Sequence, residues 1–299
     1  MLNKKIYFRQ SDNTVYLESF LLENNFFTKK RPTIVICPGG GYLQIAPREA
    51  EPISLKFNSY GFNCFVLHYS CFFTSNIKNY HTLPPKNENF NLQHPLNELA
   101  KTFSLINKNA DRWNVDINRV MLCGFSAGGH LASLFAENLV AEKFIDLPNC
   151  NIKPAALILG YPLLDLINAS DCNRQNLREY APIQNHLVNQ AIYGNKGYKA
   201  EYAKKISPVN HVASTMCPTF IWTTATDELV NPAGSIEMAL ELKAKKVPFE
   251  LHVFSSGGHG LSLAEEVTAT RSNQVNYQVN TWFNSLLLWL KELKLTIEI

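Results

Sequence analysis

Short apolar segments alternate with amphipathic segments along most of this chain, and this alternation most constrains its fold. Segments of the first kind, such as TIVIC at 33–37, are apolar and β-branched, which is typical of buried strands. Segments of the second kind, such as 95–113, carry apolar residues at helical spacing. The alternation predicts an α/β protein with a mostly parallel central sheet and helices on both faces. We predict strands at 14–22 (antiparallel), 33–37, 65–69, 119–123, 155–161, 219–224 and 249–254, and helices at 49–60, 95–113, 126–142, 232–246 and 275–293.

The chain is predicted to form a single domain over residues 1–299. Its 299 residues, 46% of them hydrophobic, are enough to bury one large core. Two segments interrupt the alternation: 73–94 is rich in Asn, Lys and Pro, and 165–210 separates two predicted strands by more than a crossover needs. We therefore expect these two segments to be the ones that could cover a pocket.

The charge and cysteine patterns exclude several classes of function. The 28 Lys and Arg residues against 25 Asp and Glu leave a net charge of +3, which argues against nucleic acid or an anionic membrane as partner. Arg9, Asp12 and Glu18 interrupt the first segment, so we expect no signal or membrane-spanning helix there. The seven cysteines form no C-x-x-C pair and no ligand spacing, so we expect reduced thiols, a cytoplasmic location and no metal.

The segment LCGFSAGGH at 122–130 sets a serine between a predicted strand and a predicted helix. In a nucleophile elbow the chain turns so sharply that the serine is strained, and small residues two before and two after it let the helix approach the strand. Gly124 and Gly128 supply both small residues. Ser126 is therefore the predicted nucleophile.

A serine hydroxyl needs a base that is itself oriented by a carboxylate. Asp227 follows the strand 219–224, and His259 lies in a glycine-rich loop after the last predicted strand. The order Ser126, Asp227, His259 is the chain order of an α/β-hydrolase fold. Asp165, after another strand, and the adjacent Glu228 are the competing acids.

The segment PGGGY at 38–42 is the predicted site of charge stabilisation. It directly follows a buried strand, and consecutive glycines let backbone N–H groups approach a substrate oxygen closely. We assign the oxyanion hole to Gly40, Gly41 and the N–H of Ala127. Tyr42 and the segment 165–210 are candidate walls of the substrate pocket.

Taken together, several motifs resemble one family over about residues 33–293. They are PGGGY, REAEP (48–52), GFSAGGHLA, ISPVNHV, FIWTTATDELV and FELHVFSSGGHGLSLA. This set is similar to the acetyl-xylan-esterase-like α/β hydrolases, which are related to bifunctional feruloyl and acetyl esterases and, more distantly, to hormone-sensitive-lipase-like esterases. The resemblance implies a serine esterase that removes short acyl groups, chiefly acetyl, from acetylated carbohydrates or small esters. The segment after Tyr69 is longer than expected for this family.

The resemblance implies Ser126, Asp227 and His259 as a triad that requires no metal and no organic cofactor. Two alternatives stay open at this point. Triad and fold do not define the acyl group, so the chain could be another serine hydrolase, such as a peptidase or an arylformamidase. It could also be a non-catalytic binding protein on a hydrolase scaffold. The apolar terminal helix could cover the sheet or also meet a second copy in a homo-oligomer.

Overall fold

The computed structural model describes residues 2–9, 12–23, 29–137, 153–168, 181–194 and 197–297. All strands named below belong to one eight-stranded sheet. They are β1 (Leu2–Arg9), β2 (Asp12–Leu21), β3 (Arg31–Cys37), β4 (Asn63–His68), β5 (Val115–Phe125), β6 (Leu157–Gly160), β7 (Thr219–Thr224) and β8 (Phe249–Phe254).

The spatial order of the strands is β1-β2-β4-β3-β5-β6-β7-β8. β1 and β2 pair antiparallel, as do β2 and β4, whereas all pairs from β4 to β8 are parallel. The predicted mostly parallel sheet, with an antiparallel strand at its start, is confirmed. The carboxyl ends of β3, β5, β7 and β8 lie at one edge, and β3 and β5 flank the point where the strand order reverses, which is where ligands bind in open α/β sheets.

Helices cover both faces of this sheet. The helices are α1 (Glu51–Asn58), α2 (Gln93–Lys108), α3 (Ala127–Ala136), α4 (Ala181–Tyr193), α5 (Ala200–Lys205), α6 (Ala233–Ala244), α7 (Tyr277–Asn280) and α8 (Trp282–Glu292). One face of the sheet packs on α1 and α8 through a cluster that includes Ile36, Phe57 and Trp282. The other face packs on α2, α3 and α6 through a cluster that includes Val35 and Leu131.

Strand β3 shows why the central strands read as continuous apolar segments. Ile34 and Ile36 point into one cluster while Val35 and Cys37 point into the other, and all four side chains are fully buried. A strand buried on both faces has no polar side, so it loses the alternation of a half-buried strand. This explains why the segment IVIC at 34–37 carries no polar residue.

The structure differs from the sequence prediction at four elements. β1 was not predicted, because this edge strand carries polar residues and an exposed Tyr7, and its apolar signal is weak. The helix predicted at 95–113 ends at Lys108, and β5 begins earlier, at Val115. The helix predicted at 275–293 is broken into α7 and α8, with Asn276 Oδ1 accepting hydrogen bonds from the backbone N–H groups of Gln278 and Val279 at the start of α7.

The two segments that interrupt the alternation differ in structure. Residues 73–92 form a mostly exposed loop with two isolated bridges, Phe73 to Lys86 and Asn79 to Thr82, before α2 begins. The segment 165–210 contains α4 and α5; its residues 169–180 and 195–196 lie outside the described part. Within the described ranges, no helix is long and apolar enough to cross a membrane.

Candidate active site

Ser126 stands at the tip of a sharp turn between β5 and α3. Its backbone has φ 53° and ψ −119°, a region that costs a side-chain-bearing residue about 1–3 kcal/mol. The glycines around it permit the turn. A Cβ atom added at Gly124 would lie 2.3 Å from the carbonyl oxygen of Gly128, and one at Gly128 would lie 2.0 Å from that of Cys37. The local backbone has the strained geometry of a nucleophile elbow.

His259 and Asp227 extend from Ser126 in one hydrogen-bonded chain. Ser126 Oγ lies 2.8 Å from His259 Nε2, and His259 Nδ1 lies 2.7 Å from Asp227 Oδ2. The three side chains come from the loops after β5, β7 and β8, so the shared carboxyl edge of the sheet brings them together. The structure places the three sequence-predicted residues in the contacts of a nucleophile, a base and an orienting acid.

Burial and hydrogen bonds set the electrostatics of this chain of residues. The Asp227 carboxylate is fully buried, and its Oδ1 accepts hydrogen bonds of 2.9 Å from the N–H groups of Leu229 and Val230. Burial alone would lower the pKa of His259, but the neighbouring Asp227, together with Glu49 and Glu228, raises that pKa above its ordinary value. The imidazolium form of the base is therefore stabilised.

The competing acids are engaged elsewhere. Asp165 Oδ1 accepts a hydrogen bond of 2.8 Å from the N–H of Ile167, and its Oδ2 accepts one of 2.7 Å from the Asn168 amide. Glu228 Oε2 accepts the backbone N–H of His259 at 3.1 Å. Asp227 is the carboxylate at the imidazole.

The glycine loop after β3 lies beside the nucleophile. Gly40 and Gly41 have φ of 123° and 67°, where a side chain would be strained. Their N–H groups donate to none of the residues that the structure describes. Ala127 opens α3, so its N–H belongs to the unpaired first turn of a helix. These three N–H groups are available to an oxyanion.

The prediction that Tyr42 forms a wall of the substrate pocket is wrong. Instead of forming a pocket wall, its side chain is only 1% exposed, and its hydroxyl lies 2.6 Å from His130 Nδ1. His130 Nε2 lies 2.7 Å from the carbonyl oxygen of Ile206, and burial lowers the His130 pKa to about 4. Neutral His130 therefore donates from Nε2 to Ile206 and accepts from the Tyr42 hydroxyl.

A cavity of about 660 Å³ opens at Ser126 and His259. This volume lies within the range of small-molecule sites. Helix α4, within the segment expected to cover a pocket, forms one wall, and many lining side chains carry amides. The lining includes Gly40, Gly41, Gln44, Ser126, Ala127, Gln184, Asn185, Val188, Asn189, Tyr193, Tyr198, His259, Arg271 and Gln274. The described residues contain no cluster of three or more His, Cys, Asp or Glu that could hold a metal ion.

Comparison with known proteins assigns the chain to a family. The model of the BD-FAE family matches residues 23–242, which is more than half of the chain. The chain belongs to the BD-FAE family. The predicted kinship with acetyl-xylan-esterase-like α/β hydrolases is thereby confirmed.

Two relatives of this BD-FAE protein are xylan-processing enzymes by name. Endo-1,4-beta-xylanase B of Butyrivibrio fibrisolvens is 27% identical over 79% of this chain and 33% of its own length. Acetylxylan esterase of Xylanibacter ruminicola is 25% identical over 83% of this chain and 44% of its own length. The chain thus spans between a third and a half of the curated relatives it matches.

Solved structures match this BD-FAE chain over its whole length. A carboxylesterase of Lactobacillus plantarum has a TM-score of 0.76 at 26% identity, with full coverage of both chains. The acetyl ester-xyloside bifunctional hydrolase of Caldicellulosiruptor lactoaceticus has a TM-score of 0.75 at 27% identity and covers 98% of this chain and 97% of its own. These matches confirm the α/β-hydrolase fold.

The structure also brings in residues whose role the sequence analysis did not assign. Glu49 and Arg48 line the cavity, and Tyr161 lies against the His259 ring with 5.0 Å between ring centroids. The sequence signal of Arg48 and Glu49 was the segment REAEP, which contributed to the family resemblance without a chemical role. The position of a buried carboxylate beside a glycine loop cannot be predicted from the sequence pattern alone.

Proposed function

We propose that this protein is a serine carboxylesterase that removes short acyl groups, chiefly acetyl, from acetylated carbohydrates or small esters. The observation that carries the proposal is the chain from Ser126 through His259 to Asp227, at 2.8 and 2.7 Å, which opens onto a cavity beside unpaired backbone N–H groups. Nucleophile, base, acid and oxyanion donors are the set that acyl transfer requires.

The proposed reaction passes through an acyl-enzyme. Ser126 Oγ attacks the ester carbonyl carbon while its proton passes to His259 Nε2, and Asp227 stabilises the imidazolium. The N–H groups of Gly40, Gly41 and Ala127 bind the oxyanion. Nε2 then protonates the departing alcohol oxygen. Water, deprotonated by His259, attacks the acyl-serine, and acetate and free Ser126 are released.

The lining of the cavity supports a carbohydrate as the alcohol part of the ester. The amide side chains of Gln184, Asn185 and Asn189 project from α4, and each amide both donates and accepts hydrogen bonds, as sugar hydroxyls do. The relatives named acetylxylan esterase and acetyl ester-xyloside bifunctional hydrolase support the same substrate class. We therefore propose a small ester or acetylated oligosaccharide as the substrate. We further propose that the protein binds neither nucleic acid nor a membrane and acts in the cytoplasm.

The test is acetate release from acetylated xylo-oligosaccharides, measured beside hydrolysis of 4-nitrophenyl acetate, butyrate and octanoate. Ser126→Ala should abolish every activity while the protein stays folded. Ser133→Ala is the matched control, because this buried serine on α3 has a hydroxyl without a partner among the described residues. Turnover by Ser126→Ala near that of the control would contradict the serine mechanism.

The same assay separates the alternatives. Cleavage of the synthetic esters without release from the sugar would leave the esterase proposal standing and remove the carbohydrate substrate. Preferential cleavage of a peptide or an N-formyl aromatic amine would favour a peptidase or an arylformamidase. Absence of turnover on every substrate, with no labelling by a fluorophosphonate, would favour a binding protein.

A further inference from the structure

Glu49 is a buried carboxylate that the triad and the oxyanion glycines leave unexplained. It is the first glutamate of REAEP, in the short turn Pro47–Glu49, and it is 5% exposed. Removing a carboxylate from water is costly unless both oxygens are compensated by hydrogen bonds. Both oxygens of Glu49 are compensated, and each contacts a different part of the catalytic site.

The first oxygen holds the oxyanion loop. Glu49 Oε2 accepts the backbone N–H of Gly39 at 2.6 Å, one residue before Gly40. Gly39 is enclosed between this carboxylate and the nucleophile: an added Cβ atom would lie 2.8 Å from Glu49 Oε2 and 2.9 Å from Ser126 Cβ. The distance from the glycine loop to Ser126 therefore depends on the carboxylate.

The second oxygen holds the loop that carries the base. Glu49 Oε1 accepts the hydroxyl of Tyr161 at 2.7 Å, and this hydroxyl accepts the backbone N–H of Ser262 at 3.0 Å. Ser262 lies three residues after His259, and the Tyr161 ring packs against the imidazole in a T-shaped contact. The carboxylate thus connects the oxyanion loop to the base loop.

The charge of Glu49 also acts on the base. Burial raises the pKa of Glu49 above its ordinary value, and the hydrogen bonds from Tyr161 and Gly39 and the nearby His259 and Arg48 limit that rise without cancelling it. Two accepted hydrogen bonds favour the ionised form. Among the described residues, Asp227 and Glu228 also raise the His259 pKa, the Tyr161 ring packs against the imidazole, and the Arg48 guanidinium donates to the carbonyl of Gly260, the residue after His259.

We propose that Glu49 is a positioning residue that fixes the oxyanion loop through Gly39 and the base loop through Tyr161, and whose charge stabilises the His259 imidazolium. This inference rests on the proposed esterase function, since it concerns the same residues. It assigns REAEP a part in catalysis without contact with the reacting atoms.

The test compares Glu49→Gln with Glu51→Gln, which changes the exposed second glutamate of the same segment. kcat and KM for 4-nitrophenyl acetate are measured from acidic to alkaline pH. For Glu49→Gln we expect kcat to fall about 10- to 100-fold with a smaller change in KM, because the oxyanion donors are displaced. The acidic limb of its pH profile of kcat/KM should also move to lower pH, because a negative charge beside the imidazolium is lost. Glu51→Gln should match wild type.

Tyr161→Phe separates positioning from charge. It removes the hydroxyl that links Glu49 to the base loop but keeps the carboxylate, so kcat should fall while the acidic limb stays closer to that of wild type. If Glu49→Gln does not fold, this variant decides, and a kcat near wild type would overturn the proposal.

Two results for a folded Glu49→Gln would also overturn the proposal. One is wild-type kcat; the other is loss of activity with an unmoved acidic limb, which indicates a structural role only. Ser126→Ala in the same assay keeps the two proposals apart. If Ser126→Ala is inactive and one of these two results is found for Glu49→Gln, only the role proposed for Glu49 is wrong. If Ser126→Ala is active, the proposed esterase mechanism is wrong as well.

Discussion

Ser126 is held in its strained conformation by hydrogen bonds on both sides of its peptide units. Its N–H donates to the carbonyl of Gly160 at 3.0 Å, and its own carbonyl accepts from the N–H groups of His130 at 3.1 Å and Leu163 at 3.2 Å. These bonds connect it to β6, α3 and the loop after β6. The surrounding structure offsets the cost of the unusual φ, so the hydroxyl stays fixed toward His259.

The identity of the catalytic acid can be tested by making the same substitution at two aspartates. Asp227→Asn should lower kcat by about 10⁴-fold, because an amide cannot hold the imidazole in the required tautomer. Asp165→Asn, with its carboxylate engaged by Ile167 and Asn168, should stay within about tenfold of wild type, since it lies outside the chain of catalytic contacts. Steady-state kinetics on 4-nitrophenyl acetate decide, and the reverse pattern would make Asp165 the acid.

The pH dependence of kcat/KM reports the protonation of His259 in the free enzyme. The base must be neutral to accept the Ser126 proton, so activity falls as the pH drops through its pKa. Because Asp227 and the other nearby carboxylates raise that pKa, the acidic limb should lie above the ordinary imidazole value of 6.5. A limb at or below 6.5 in a profile on 4-nitrophenyl acetate would contradict this.

The loop after β3 depends on its glycines for its conformation. Gly40 has φ 123°, and an added Cβ atom would lie 1.9 Å from the carbonyl oxygen of Gln44, which must then move. Gly40→Ala should lower kcat by about 10²- to 10³-fold, the cost of losing an oxyanion donor, with a smaller effect on KM.

Gly194→Ala is the matched control for this loop, because Gly194 has φ 60° and nothing within 4 Å of an added Cβ atom. It carries the backbone strain without the steric clash and should keep wild-type kcat. Equal losses in the two variants would show that strain alone, and not the position of the oxyanion loop, explains the effect.

Neutral His130 on α3 forms hydrogen bonds to Tyr42 and to the carbonyl of Ile206. Its titration should make the free energy of unfolding depend on pH. Its pKa of about 4 lies below the unfolded value of 6.5, so between these values the unfolded chain binds the extra proton. The folded state therefore loses stability as the pH falls below 6.5, by about 2 kcal/mol from this residue at pH 5.

His130→Gln removes this titration. The variant should be less stable than wild type at pH 7.5, and the difference in the free energy of unfolding should shrink by about 2 kcal/mol at pH 5. Denaturant titrations at the two pH values measure it. A difference that is constant with pH would show that His130 does not stay neutral in the folded protein.

Over the whole chain, features with a local signature were predictable. The strands 219–224 and 249–254 match β7 and β8, and the spacing of Gly124 and Gly128 around Ser126 indicated the turn because the motif is contiguous in sequence. Tyr42 and Glu49 depend on distant partners: Glu49 meets Tyr161 across 112 positions, and Tyr42 meets His130 across 88. Periodicity carries no information about such contacts, so a pocket wall was predicted where a buried hydrogen bond lies.

The assignment of Ser126 as nucleophile is tested by covalent labelling of the folded protein with a fluorophosphonate, followed by peptide mapping. We predict one label per chain, located on Ser126, with hydrolysis of 4-nitrophenyl acetate lost in proportion and with acetylated xylo-oligosaccharide slowing the labelling. Ser126→Ala should take up no label. Labelling at another residue, or full hydrolysis by a protein labelled on Ser126, would contradict the assignment of Ser126 as the nucleophile.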